Sequence, residues 1–240
     1  MKGLLYLVPT PLSESTALAI TPEATIKILK SIRFFIVEDV RTARRYLHQI
    51  GVDINKEELE FLEFNEHSDV FDISIFMRAL LDGYDTALLS DAGIPCVADP
   101  GAVLVKEAHR LNIRVRPLSG PSSIFMALMA SGFNGQQFHF HGYLPVDKQE
   151  RIHKIREIEK QIRTDRCTHL FIETPYRNRQ LLDTLLQVCH PLTLLCIALG
   201  ITDEKEFIRT ESIGDWKKTK IPELHKVPAV FLLSGDHHIK

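Results

Sequence analysis

The stretch LLSDAGIPCVADPG, residues 88–101, ends an apolar run abruptly and follows it with two carboxylates, two glycines and two prolines. A buried strand that reaches the surface in this way has come to the end of a sheet. Gly93 there allows backbone to approach a ligand closely, and Asp91 offers an acceptor for hydroxyl or amine groups. Two local alternatives stand beside that reading. Asp91 also suits a strand-to-helix turn, and Asp99-Pro100-Gly101 has the composition of a helix start, with the carboxylate on free N–H groups.

Upstream of this stretch, Gly3–Val8 is a short apolar run broken by Pro9. It reads as a first strand and is short for a secretory leader. Thr21-Pro22-Glu23 reads as a helix start with Thr21 as the cap, running through Ile32. Phe34–Val37 is a strand, Val40–Ile50 a helix stopped by Gly51, Leu59–Phe64 a strand and Asp69–Leu81 a helix. Thr86–Leu89, Gly101–Leu111, Ile113–Leu118 and Ser122–Ala130 continue the alternation of strand and helix. Strands alternating with helices across short loops imply βαβ units and a mostly parallel sheet, with ligands beyond the carboxyl ends of its strands.

The pattern changes after Asn134-Gly135. Gln137–Leu144 is a strand, Asp147–Thr164 a charged helix, His169–Ile172 a strand, Pro175–Val188 a helix and Leu192–Leu199 a strand. Glu206–Ile213 and Val227–Leu233 read as two further strands, antiparallel by their spacing. The expected organisation is two α/β domains, 1–134 with a mostly parallel sheet and 135–240 with a mixed one.

Composition excludes several classes. The 240 residues carry a net charge of −2, with 45% hydrophobic and 25% charged residues, so no global basic field advertises nucleic acid. Any RNA would be held by a local patch. None of the four cysteines is spaced C-x-x-C, and no apolar run approaches the ~18 residues of a membrane span. A cytoplasmic protein without a membrane partner is expected. G-x-G-x-x-G, P-loop, G-x-S-x-G and H-E-x-x-H motifs are absent.

Other stretches carry chemistry-bearing residues. Ser119-Gly120-Pro121-Ser122-Ser123 can present hydroxyls and helix N–H groups, or simply cap a helix. Glu38-Asp39 precede Arg41, Arg44, Arg45 and His48, which place cations on one helix face, either for phosphate or as a solvated surface. Lys148 to Arg166 holds seven Lys or Arg against four Asp or Glu, with ordinary helix-surface pairs. Asn65-Glu66-His67 and Glu173-Thr174-Pro175-Tyr176-Arg177 follow strands, where acid–base groups or turns are both expected. His139 and His141 share a strand face, but no third ligand for a metal is evident.

The segments VEDVRTARRYL, EFNEHS, LLSDAGIPCVADPG, VRPLSGPSS, HGYLPVDKQER and FIETPYR occur in this order over residues 37–177. Together the chain resembles the ribosomal RNA small-subunit methyltransferase I family, whose members share the fold of the tetrapyrrole methylases. The resemblance implies S-adenosylmethionine in a cleft between two α/β domains, a homodimer, and methylation of the ribose 2′-hydroxyl of a cytidine in small-subunit ribosomal RNA. By motif, Asp91, Ala92, Gly93, Ile94, Ser122, Ser123 and Ile124 would line the cofactor. By looser alignment Leu12, Ile172, Ala198 and Ala229 would join them. Glu173, Glu38 and Glu66 are the carboxylates that could take the hydroxyl proton, Arg41, Arg44 and Arg177 would hold RNA phosphate, and no metal is expected. The chain departs from the family pattern at Leu12-Ser13-Glu14-Ser15, which replaces Ile-Gly-Asn-Leu, and at Leu199 to Asp203, where the usual Arg, Glu and Lys are missing. Two other readings stand beside this one: methylation of a small anionic molecule such as a tetrapyrrole, or, on the strength of the altered loops, binding of S-adenosylmethionine without catalysis.

Overall fold

A computed structural model of the chain describes residues 1–55, 58–65, 68 and 73–235. They form two compact units, Met1–Ser122 and Ser123–Lys240.

The first unit contains strands β1 (Leu4–Val8), β2 (Phe34–Val37), β3 (Glu60–Glu63), β4 (Thr86–Leu89) and β5 (Arg114–Pro117). Its helices are α1 (Ala17–Ile20), α2 (Glu23–Leu29), α3 (Val40–Gln49), α4 (Ile73–Leu81) and α5 (Ala102–Arg110). The strands form a sheet of order β3-β2-β4-β1-β5, with every pairing parallel. A parallel sheet is covered on both faces, and its central strands are therefore continuously apolar. All four residues of β4 are buried. Leu5, Ile36 and Leu88 pack with Met77, Leu80 and Leu104 on one face, while Tyr6, Val8, Phe35, Val37 and Leu89 pack with Leu29, Tyr46 and Leu47 on the other. The edges are unsuited to further pairing: β3 carries Glu60 and Glu63, and β5 ends in Pro117.

One local expectation needs correction. Helix α2 is capped at Pro22, not Thr21, because the Thr21 hydroxyl donates to the Ala17 carbonyl at the end of α1 (2.6 Å). The helix expected from Asp69 is described from Ile73; residues 69–72 lie outside the described residues.

The second unit contains α6 (Ser123–Ser131), β6 (Phe138–Tyr143), α7 (Lys148–Asp165), β7 (Thr168–Glu173), α8 (Asn178–Val188), β8 (Leu194–Leu199), β9 (Phe207–Ser212), α9 (Ile213–Trp216) and β10 (Ala229–Ser234). The sheet order is β6-β7-β10-β8-β9, with β6 and β7 parallel and the other pairings antiparallel. It is a mixed sheet, as expected. Strands β9 and β10 do not pair with each other: β8 lies between them and runs against both. The units divide at Ser122/Ser123, whereas a boundary near 134 was expected. The difference is α6, which packs on β9 and β10. The opposite sheet face carries a core of Ile155, Ile158, Phe171, Leu182, Phe231 and the fully buried Trp216, whose indole N–H donates to the Leu195 carbonyl (2.8 Å).

His139, His141 and His169 form a stacked column of imidazoles on β6 and β7, with ring centroids 5.2–6.4 Å apart. His141 Nε2 and His169 Nδ1 share a hydrogen bond of 2.9 Å. The third imidazole was not anticipated. Among the described residues no group of three His, Cys, Asp or Glu could hold a metal ion. Burial, then the neighbouring His169, Lys154 and His139, lower the His141 pKa to about 4. The folded state therefore holds His141 neutral while an unfolded chain protonates it near 6.5, so its contribution is full above that value and is lost as pH falls from about 6.5 towards 4. After discounting for the ring's partial exposure, the loss is expected to be about 2 kcal/mol. Urea denaturation of the wild type and His141→Gln at pH 7 and pH 4.5 checks this: the wild type should lose more stability than the variant.

Candidate active site and family

Parallel register brings the polar residues of the first unit together. Val37 pairs with Leu89, so the residues that follow β2 and β4, Glu38-Asp39 and Ser90-Asp91, emerge side by side. The Asp91 N–H donates to Glu38 Oε2 (2.8 Å). Asp39 caps α3 by accepting from the Thr42 N–H (2.7 Å), and this bond holds its pKa below the usual carboxylate range.

Burial pushes the Glu38 carboxyl up to about 7. The Asp91 N–H opposes that shift, and the charges of Asp99 and Asp91 add to it. Glu38 is thus a carboxyl that exchanges its proton near neutrality, where a general base works best. Asp91 is also raised, first by burial and then by the Asp39 charge. Asp99 was expected to cap α5, but the cap position is Gly101, which makes no side-chain cap bond. Asp99 acts just before it: its Oδ1 accepts from the N–H groups of Cys96 (3.0 Å) and Gly101 (2.8 Å). Burial and then Asp99 push the Cys96 thiol up to about 12, which excludes it as a nucleophile at neutral pH.

Three loops close over this edge of the sheet. Thr10 and Gly93 exchange backbone hydrogen bonds (2.8 and 3.1 Å), the Thr10 hydroxyl donates to the Ser90 carbonyl, and the Ser90 hydroxyl donates to the Gly93 carbonyl. Gly93 has φ +82°, and a Cβ there would stand 3.3 Å from Leu12 Cδ2. At Gly120 a Cβ would come within 2.3 Å of Pro9, so only glycine lets the 119–122 loop lie against the first loop. Leu12, Asp91, Ala92, Gly93, Ile94 and Ser122 are therefore gathered at one sheet edge. Asp91 and Ala92 are exposed there, and Gly93 and Ser122 are buried. The divergent segment after Leu12 forms a turn whose Glu14 pairs with Arg45.

In the second unit Ser123 and Ile124 open α6. Ile172 and Ala198 flank Val230 in register, which places them on one sheet face at the carboxyl ends of β7 and β8. Ala229 belongs to the opposite face, where its side chain joins the core under the helices. Glu173 is buried and committed: Oε1 accepts from the Arg177 guanidinium (2.6 and 2.9 Å) and from the Thr174 N–H (2.6 Å). Arg177 also donates to the Thr174 hydroxyl. This is the geometry of a braced turn between β7 and α8. Glu66 lies outside the described residues. Arg41 and Arg44 are exposed on α3, and the Arg44 guanidinium lies 4.9 Å from the centre of the Phe61 ring.

Sequence reasoning missed the approach of Asp99 to Glu38 and the imidazole of His169. The first requires strand register. The second had a faint signal in a polar residue at an inward position of an apolar strand.

Comparison with known proteins is consistent with this architecture. The profile of the tetrapyrrole (corrin/porphyrin) methylases matches residues 5–214. The ribosomal RNA small subunit methyltransferase I of Vibrio cholerae is 33% identical over 206 residues, covering 86% of this chain and 67% of that protein. Its counterpart from Buchnera aphidicola is 30% identical over 241 residues, covering 99% and 80%. The crystal structure of the methyltransferase CobJ superposes with a TM-score of 0.64 over 100% of this chain and 98% of that one, at 16% identity, which speaks to the fold alone. Among the described residues no helix is long and apolar enough to cross a membrane. With the profile spanning most of its length and relatives of one name aligned along both units, the chain belongs to the ribosomal RNA small-subunit methyltransferase I family of the tetrapyrrole methylases and is a methyltransferase.

Proposed function

We propose that the protein uses S-adenosylmethionine to methylate the ribose 2′-hydroxyl of a cytidine in small-subunit ribosomal RNA, acting in the cytoplasm as a homodimer. The observation that carries this reading is the backbone cradle made by the 9–12, 90–94 and 119–122 loops at the carboxyl ends of β1, β4 and β5. Its fit to the cofactor is chemical. Gly93 and Gly120 let the three loops lie against one another, which brings backbone to the site, and Asp91 supplies an exposed carboxylate for hydroxyl or ammonium groups. Leu12, Ile94, Ile172 and Ala198 would supply apolar contact, Ala229 would contribute backbone, and Ala92, Ser122, Ser123 and Ile124 would complete the lining.

When bound, S-adenosylmethionine supplies an electrophilic methyl group on a sulfonium. The residues of this chain position the reactants and exclude water, and alignment alone supplies much of such a rate. Glu38 is the carboxylate best suited to take the hydroxyl proton, because its pKa lies near 7; Glu173 is held by Arg177. Glu38→Gln is expected to remove an inflection near pH 7 from the kcat/KM profile. A profile unchanged in shape would exclude Glu38 as the base.

Arg41 and Arg44 would hold phosphate. Replacing both with Ala is expected to leave cofactor affinity unchanged and to make log Kd against log salt shallower by about 1.4, at roughly 0.7 for each single-strand phosphate contact. The test of the whole reading is incubation with radiolabelled S-adenosylmethionine and small ribosomal subunits lacking methylation. Label on one cytidine ribose supports it; label on an added tetrapyrrole instead overturns the RNA reading, and cofactor binding without transfer to either overturns catalysis.

A further inference from the structure

The second unit holds a cavity of ≈ 790 Å³ that the cradle does not use. It lies at the carboxyl ends of β7 and β8, walled by the Pro175-Tyr176 turn, Phe207 at the start of β9 and the 220–225 loop. Phe207 packs with the core on the helix-covered face, opposite to Ile172 and Ala198. The cavity is therefore separate from the proposed cofactor lining of this unit.

Its walls are held in place. Asn178, fully buried at the start of α8, donates to the carbonyls of Val227 (2.7 Å) and Leu224 (3.3 Å), and the Lys226 N–H donates to the Pro175 carbonyl (3.3 Å). Against these walls Tyr176 is 68% exposed, and its ring makes a T-shaped contact with the His225 imidazole at 5.8 Å and 75°. Lys220 and Arg179 line the cavity, the latter also paired with Asp183 on the next turn of α8 (3.0 Å), and so does Glu223, whose Oε1 accepts from the His225 N–H (2.9 Å) and keeps further acceptor capacity.

An exposed aromatic ring, a flanking imidazole, a carboxylate and two cations around one cavity form a set that suits a nucleotide. A nucleobase stacks on the ring, its amino groups meet the acceptor and its phosphates meet the cations. We propose that this cavity receives one unpaired nucleotide of the RNA, stacked on Tyr176, with Arg179 and Lys220 on the adjoining phosphates. The proposal rests on the RNA reading above and adds where the strand is gripped. Paired bases present no free face, so the strand must be single at this point.

The probe is a fluorescein-labelled single-stranded RNA heptamer of mixed cytidine and adenosine, titrated into the intact protein and followed by anisotropy. Tyr176→Ala should weaken binding by roughly 5- to 150-fold, the equivalent of one base–aromatic stack. Tyr176→Phe, which keeps the ring face, should bind nearly as the wild type does. Lys220→Ala should make the salt dependence shallower by about 0.7. Calorimetry with S-adenosylmethionine should give the wild-type affinity for all three variants. If wild type binds the heptamer and Tyr176→Ala and Lys220→Ala bind it equally well, the cavity is not the grip, while the RNA reading survives. Equal weakening by Tyr176→Ala and Tyr176→Phe also overturns the stacking. If the wild type neither binds the heptamer nor labels ribosomal subunits, the RNA reading itself fails, and this proposal with it.

Discussion

Arg177→Ala is expected to lower the stability of the protein by about 3 kcal/mol, the range found when one partner of a buried ion pair is removed. The Glu173 side chain is 1% exposed and that of Arg177 25%. Without the guanidinium, the buried Glu173 carboxylate loses its ion-pair partner and, among the described residues, retains the Thr174 N–H. A buried charge left without its partner is costly to the turn between β7 and α8. The double variant Glu173→Gln with Arg177→Met removes the stranded charge and should recover most of the loss. Urea denaturation of the two single variants and the double variant gives the coupling energy directly. A stability loss below about 1 kcal/mol for Arg177→Ala would mean that the pair behaves as a surface pair, and would return Arg177 to the pool of phosphate-binding candidates. Any fall in RNA affinity in this variant has to be read after its stability is known, because the 174–177 turn also carries Tyr176.

The alternation of strands and helices was legible because Gly, Pro and acidic residues punctuate it at nearly every sheet edge. Thr86–Leu89 shows why: a run buried on both faces, followed at once by Ser90-Asp91, has few readings other than a central parallel strand. The domain boundary was less legible for a matching reason. Helix α6, SIFMALMAS, is apolar on nearly every side, so no polar stripe marks which sheet it covers. Only the contacts with β9 and β10 assign it to the second unit. The order of β8, β9 and β10 was hidden in the same way, since spacing predicts hairpins and cannot show a strand inserted between earlier neighbours.

The candidate site was legible in composition and not in its electrostatics. Gly93 stands out in the sequence as a place where backbone comes close, whereas the approach of Gly120 to Pro9 is visible only in the fold. That Glu38 would share its surroundings with Asp91 and Asp99 follows only from the pairing of Val37 with Leu89. The pairing of Glu173 with Arg177 was hidden as well. A carboxylate at a strand end has the look of a base, and the Arg177 four residues later, on which it is spent, was read separately as a phosphate ligand.

Asp91 and Asp99 are expected to separate cleanly on mutation. Asp91 is exposed at the mouth of the cradle, and its carboxyl is raised by burial and by the Asp39 charge. An incoming hydroxyl or ammonium donor therefore finds an acceptor with spare capacity and relieves some of the repulsion around it. Asp91→Ala should remove a charge-assisted hydrogen bond of about 1.5–3 kcal/mol. S-adenosylmethionine affinity should then fall roughly 10- to 150-fold, with little change in unfolding. Asp99 faces inward and spends its Oδ1 on two backbone N–H groups of its own turn. Asp99→Ala should lower stability by about 1–3 kcal/mol through those two orphaned donors, and it also removes a negative neighbour that helps to raise Glu38. Its cofactor affinity should change by less than about threefold, while the pH at which Glu38 titrates should move down. Calorimetric titration and urea denaturation of both variants decide the matter. If Asp99→Ala abolishes cofactor binding while Asp91→Ala only destabilises, the two carboxylates have been assigned in reverse.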